Sequence, residues 1–293
     1  MKKIYLYFLG ISVIASAFYA YSCRNPNNKF SSPKGYDFTK PDKFNMPSSL
    51  LEISGIAFYK ANSDTVYSVQ DEDGKLYRQG WDVKKQSNMK FAPKGDYEDL
   101  GFLHDRVFVL KSNGDIYSFP VTEAVKKESD LVKVHTQVVP HGEYEGLFAD
   151  PATNKVYILC KKCGVDKKTK ALSGYVFDYQ SSTDSLVASG EFKMDLNQIK
   201  ALNSELKASL SPSALARNPK TNEWYVLSSA NKLLLVADSN WKIKEAHRLN
   251  SSMFNQPEGM AFDKDNNLFI SNEGDEVKDG NILKFKYLLT ERK

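Results

Sequence analysis

Short apolar runs alternate with polar turn clusters along almost the whole chain, and five of them share one grammar. "EISGIAF" at Glu52, "DYEDLGF" at Asp96, "EYEGLFAD" at Glu143, "SPSALARNP" at Ser211 and "QPEGMAFD" at Gln256 each start polar and turn apolar. Each is followed, roughly ten residues later, by a β-branched and aromatic run that reads as a second strand. "RVFVLKSNGDIYSFPV" and "EWYVLSSANKLLLVAD" are two of these. Between the paired runs lie "KANSD", "LHD", "DPATN", "NPKTN" and "DKDNN", the Asn, Asp and Pro clusters of tight hairpins. "DEDG", "SNGD" and "SANK" mark a second hairpin in three of the units.

A unit of roughly 40 to 70 residues built from four antiparallel strands is a propeller blade. A lone four-stranded sheet buries one face at best. In a ring, each face packs on its neighbour. The sequence therefore predicts an all-β fold, a β-propeller of five blades, or six if Val121–Pro140 and Leu196–Leu210 hold a degenerate one. Closing the ring needs a device against an open edge. The last repeat supplies three strands, and "YDFTKPDKF" (Tyr36–Phe44), ahead of the first repeat, is expected to supply its outer strand. One helix is expected in "LNQIKALNSELKASL". Leu196, Ile199, Leu202, Leu206 and Leu210 fall on one side at helical period. It either caps the channel or fills space.

Composition changes this picture at the N-terminus. Lys2 and Lys3 precede an apolar run, Ile4 to Phe18, and small or polar residues follow up to Cys23. This reads as a signal peptide over 1–22. Cys23 stands where a bacterial lipobox has its lipidated (palmitate-bearing) residue, although Ala20 and Tyr21 depart from that box. An uncleaved anchor and plain secretion are the other readings. Residues 23–35, rich in Asn, Pro, Ser and Lys, read as a flexible tether, and 36–293 as one propeller domain. The expected location is extracytoplasmic, lipid-anchored to a bacterial membrane on its periplasmic or cell-surface face. Three cysteines are an odd number for an exported chain. With Cys23 lipidated, Cys160 and Cys163 of "CKKC" remain as a local disulfide. The net charge of +4 comes without a dense Lys/Arg block, which excludes nucleic acid as a partner.

Several of these stretches occur together and in order: "LLEISGIAF", "VQDEDGKLY", "DYEDL", "EYEGL", "SPSALARNPKTNEWYVLSSANKLLLV" and "FNQPEGMAFDKDNNLFISNEG". Together they look like the SdiA-regulated family of bacterial β-propellers, from about Tyr36 to Tyr287. The resemblance implies a propeller of five or so blades on an extracytoplasmic protein. It implies no chemistry, because that family has no firmly assigned activity.

Stacking the five first strands gives two polar columns, Glu52, Asp96, Glu143, Ser211, Gln256 and Ser54, Glu98, Glu145, Ser213, Glu258. Positions two apart on a strand face one side. Six carboxylates then converge near one channel mouth, with Asp99 close by. Two carboxylates ~4 Å apart repel by about 4 kcal/mol at an effective dielectric of 20. Three outcomes relieve this. The acids tie blade to blade, or bond neighbouring backbone N–H groups or Lys/Arg. Some stay protonated and serve acid–base chemistry. Or Ca²⁺ sits among Glu52, Glu98, Glu145 and Glu258, since Ca²⁺ accepts several hard oxygens in loose geometry. Asp96, Glu143, Ser211, Ser213, Asn272 and Glu273 are the further polar residues expected about the channel mouths. The ends of the second strands, such as Asp71, Ser229 and Glu273, are expected at the opposite mouth or on blade tops. Gly55, Gly146 and Gly259 read as close-packing positions, with Asp99 and Ala214 as departures from that column.

Two functions fit. One is a membrane-tethered binding module that takes a ligand or partner at the channel mouth, with calcium as a structural ion. The other is a calcium-dependent hydrolase of the phytase or lactonase type, in which the metal activates water. The first-strand columns carry no basic residue, which counts against a phosphate site.

Overall fold

The computed structural model of the chain describes residues 30–82, 86–166 and 169–288. The segment read as a signal peptide, Cys23 and the expected tether up to residue 29 lie outside these. Among the described residues, no helix is long and apolar enough to cross a membrane.

The first strand in the chain belongs to the last blade. β1 (Asp42–Asn45) pairs antiparallel with β20 (Asn281–Phe285), with Asp42 opposite Lys284. Blade one is β2 (Ile53–Ala57), β3 (Val66–Gln70), β4 (Lys75–Gln79) and β5 (Ser87–Lys90). Blade two is β6 (Tyr97–Leu103), β7 (Arg106–Lys111), β8 (Ile116–Pro120) and β9 (Lys133–His135). Blade three is β10 (Gly142–Asp150), β11 (Lys155–Cys163), β12 (Ala171–Gln180) and β13 (Ser185–Asp195). Blade four is β14 (Ala214–Arg217), β15 (Trp224–Ser228), β16 (Leu233–Ala237) and β17 (Ile243–Arg248). Blade five is β18 (Pro257–Phe262), β19 (Leu268–Asn272) and β20, finished by β1. The result is a five-bladed propeller of four-stranded antiparallel sheets. Val121–Pro140 contributes the outer strand of blade two, and no sixth blade forms among the described residues.

The expected closing strand exists but is shorter than Tyr36–Phe44. Pro41 has no N–H to donate, and only Asp42–Asn45 joins the ladder. Tyr36 and Phe38 do different work. They insert between blades four and five. The Tyr36 hydroxyl donates to the Asn266 carbonyl oxygen at 2.8 Å and accepts from Asn218 and Asn266 side chains. The compact unit that holds the blades begins at Ser32. Gly35, with φ of +90°, accepts from the Leu288 N–H, so the last tether residues are built into the fold.

Apolar side chains between blades form five cores, one at each junction. Blade five meets blade one through Ile53, Val66, Phe269 and Ile282. Blades three and four share Phe192, Trp224 and Trp241, whose rings stack at 3.6 and 4.3 Å. Such pairs add roughly 0.5–1.5 kcal/mol beyond their buried area. The expected helix is a correction. α1 covers only Asn197–Leu202, and the chain then turns. Leu196, Ile199, Leu206 and Leu210 still pack into the core between blades three and four, whereas Leu202 is 46% exposed. The segment fills the blade junction rather than capping the channel.

Candidate functional site

Each first strand runs outward from the same mouth of the channel. Antiparallel pairing brings the end of each second strand back beside it. Ile53 is opposite Gln70, Tyr97 opposite Lys111, Tyr144 opposite Cys160 and Pro257 opposite Asn272. Of the two places expected for the second-strand ends, the opposite mouth and the blade tops, the pairing excludes the opposite mouth. Asp71, Lys161, Ser229 and Glu273 share a mouth with Glu52, Glu98 and Glu258.

This mouth is acidic and largely screened from water. Burial first, then the charge and hydrogen bond of Asp96, push the Glu98 carboxyl up to about 9. Burial and the charges of Glu258 and Asp71 push Glu273 up to about 8. Burial and the charges of Glu52 and Asp96 raise Asp71 to about 6. Glu258 is also raised by burial, against hydroxyls of Ser229 and Ser213 and the charges of Lys161 and Lys232. Asp96 is more exposed and accepts from the Ser112 hydroxyl. Glu52 borders the mouth, beside a polar recess that Gln70, Glu72 and Lys75 also line.

Two lysines balance part of this charge, and no reading of the first strands finds them. Lys161, near the end of β11, pairs with the buried Glu145. Its charge also lowers the pKa of Glu98 and of Glu258. Lys232, in the β15–β16 turn, donates to the Asn255 carbonyl oxygen at 2.5 Å and faces Glu258 and Glu273. Burial lowers its own pKa. Basic residues thus stand beside the acids after all, supplied by second strands and turns.

Of the other expected residues, Gln256 and Ser213 touch this cluster through Glu273 and Glu258, and the rest stand at its border or apart from it. Glu143 is exposed and pairs with Lys162 at 2.6 Å. Ser211 accepts from Ser228 and takes the Asn231 side-chain oxygen on its N–H. Gln256 donates to Glu273. Asn272 is fully buried, its amide donating to Asn281 at 3.2 Å. Ser213 ties two blades, its hydroxyl donating to the Pro257 carbonyl oxygen at 2.7 Å. The Ser271 hydroxyl does the same to Ser54, joining blade five to blade one. "DEDG" turns between β3 and β4, with Lys75 on Asp73 at 2.7 Å. Cys160 and Cys163 form a disulfide with Cα atoms 6.1 Å apart, clipping the end of β11.

Of the four acids expected to hold calcium, Glu98 and Glu258 lie close enough for their charges to interact, and Glu52 borders the mouth. Glu145 is taken by Lys161. Among the described residues, no group of three or more His, Cys, Asp or Glu lies where it would hold a metal ion.

The channel is closed below this mouth by Asp99. Its carboxylate accepts the N–H of Leu100 at 2.9 Å and of Leu147 at 2.8 Å, and the Leu215 N–H also bonds to it. It also packs against Gly55, where a Cβ would stand 2.6 Å from Asp99 Cα and from its Oδ1. One carboxylate therefore touches the first strands of four blades, which only a position at the ring's centre allows. Gly259 makes the same kind of close approach, since a Cβ there would lie 2.3 Å from the Ser54 carbonyl oxygen. Burial pushes the Asp99 carboxyl well above its usual range, and the three N–H bonds oppose that rise.

Fold and site together define a five-bladed propeller with a plugged channel and one acidic mouth. The family profile described as SdiA-regulated matches residues 42–276, and the chain belongs to that family. No curated protein sequence matches it. Among solved structures it is similar to a luciferin-regenerating enzyme, at 12% identity and a TM-score of 0.51, covering 85% of this chain and 96% of that one. It is also similar to the glutaminyl cyclase of Myxococcus xanthus, at 11% identity and a TM-score of 0.53, covering 84% and 95%. At such identities the likeness is one of fold alone.

Proposed function

We propose that the chain is a membrane-tethered, extracytoplasmic binding module whose acidic channel mouth takes a cationic ligand. The observation that carries this is the state of Glu98 and Glu273. Their carboxyls are held at about 9 and about 8, so at neutral pH the mouth keeps protons that it would give up to a cation. Asp71 and Glu258 add to the same field. The acids are spread along the mouth and interrupted by Lys161 and Lys232. That suits an organic polyamine, with its charges spaced along a chain, better than a bare ion needing 6–8 oxygens at once. Calcium remains the competing ligand.

The test is the melting temperature of residues 24–293 at pH 8 with spermidine, with Ca²⁺ and with chelator. Spermidine should raise it by several degrees, and the Glu98→Gln, Glu273→Gln double variant should lose that rise. A rise with Ca²⁺ alone would assign the mouth to the metal. No rise with either would end the reading. The tether is tested separately, by metabolic labelling with palmitate and its loss in Cys23→Ser.

One observation favours a hydrolytic second reading. Asp71 at about 6 and Glu273 at about 8 would be mostly ionised and mostly protonated, respectively, near pH 7, as a general base and a general acid need to be. A panel of lactones and phosphate esters decides it, and absence of turnover leaves binding alone.

A further inference from the structure

We propose that the opposite mouth of the channel is a second binding site, for an uncharged small amphiphile with an apolar body. Beyond the Asp99 plug the channel opens into a cavity of about 540 Å³. That lies within the usual range of roughly 300–1,000 Å³ for small-molecule sites. Every blade contributes to its wall. Ile56, Leu100, Leu147, Leu215 and Met260 form an apolar ring one residue beyond the glycine and Asp99 level. Each of the five is 3% exposed or less. Phe102 and Phe262 continue the wall toward the mouth.

The rim is stiff and already charge-paired. The first hairpin of every blade carries a left-handed residue: Ala61 (with Lys60), His104, Asn154, Asn222 and Asn266. Asn tolerates that conformation. Lys60, Ala61 and His104 hold it at a cost of about 1–2 kcal/mol per residue, and all three line the cavity. The charged groups of the lining are Lys60, Asp150 and Arg217. Arg217 pairs with Asp150 at 2.9 Å and lies over the Trp224 ring at 5.3 Å. Lys60 pairs with Asp105 at 3.2 Å. His104 meets the Asn154 side chain at 3.2 Å. The Arg217–Asp150 pair is largely buried, so an ionised head beside it would have to break that pair or enter unpaired, whereas a hydroxyl, ester or amide head finds polar neighbours at no such cost.

Residues 24–293 include every described element and serve as the test protein. 1-Octanol, octanoate and octylammonium are titrated by calorimetry. Octanol should bind, and both ions at least tenfold more weakly. Ala261→Phe, which fills the cavity, and Ala152→Trp, on the exposed rim, should each weaken octanol at least tenfold. Ala152→Trp leaves the core intact, so the test stands if Ala261→Phe does not fold. Glu98→Gln should leave octanol binding unchanged, separating this site from the acidic mouth. The proposal is overturned if octanol gives no binding, if either ion binds as well, or if Ala152→Trp binds like the parent.

Discussion

The two ends of one channel, built from the same five strands, have opposite characters. At one end the strands start on acids whose charges crowd and whose carboxyls are pushed up. At the other they finish on aliphatic and aromatic residues around a cavity whose few charges are paired. Between them lies one residue. Four blades place glycine or alanine at the central level, and blade two places Asp99. A five-bladed ring is narrow enough for one carboxylate to reach its neighbours' backbone. What differs between the two mouths is therefore kept apart by a single side chain, and that makes the contrast open to experiment.

The largest effect should come from Asp99→Ala. It strips the acceptor from three buried N–H groups, each worth about 1–3 kcal/mol when left unsatisfied. A loss of about 3–6 kcal/mol is expected in urea unfolding, and Asp99→Asn, which keeps an acceptor, should lose less. Next is Lys161→Met at the acidic end. It leaves Glu145 buried without a partner, a change that costs about 3–5 kcal/mol for fully buried pairs and less here because Lys161 is partly exposed. The same variant should raise the Glu98 and Glu258 carboxyls further, readable by NMR titration.

A smaller effect, of opposite sign, belongs to Glu98→Gln and Glu273→Gln. Their folded values of about 9 and about 8 lie above the ordinary 4.5. The native state holds more protons than the unfolded one in that window, so wild-type stability should fall as pH rises from 5 toward 9. The Gln variants should flatten that fall and gain about 1–2 kcal/mol at pH 8, where each tenfold difference in proton affinity carries about 1.4 kcal/mol at most. The same titration on Ala261→Phe at the apolar end should keep the wild-type slope. The smallest effect is Ser213→Ala. It removes one blade-to-blade hydrogen bond, for about 1 kcal/mol, and takes away a hydroxyl that lowers Glu258, whose carboxyl should rise slightly in the same titration.

The architecture was legible because repeats expose it. The Asn/Asp/Pro turns and the recurring first strands point to five blades with a sixth left open, and the missing outer strand of the last repeat points to the chain before Glu52. The acids of the first strands were legible for the same reason. Lys161 and Lys232 were not, since they sit on a second strand and a turn, and only pairing registers show which mouth those reach. Asp99 stood out as a departure from the glycine column, but its purpose depends on four blades meeting, which no single repeat contains. The apolar cavity was hidden because Leu147, which lines it while packing in a blade junction, and Leu159, which packs in a junction alone, follow the same alternation. The short α1 shows the converse. Periodic leucines signalled burial correctly, and the side-chain period alone did not guarantee a continuous helix.

The pairing of β1 with β20 sets an order of events. During synthesis Asp42 emerges early and its partner Lys284 almost last. Blades one to four can each gather all their strands as they appear, while the fifth must recruit a segment made at the outset. Until then the earliest strand is an unattached tail, and blade five offers a vacant edge. A chain made through Phe285 whose tail has not yet docked carries both halves of an unfastened clasp, and such chains should pair with one another, the β20 edge of one to the β1 tail of the next.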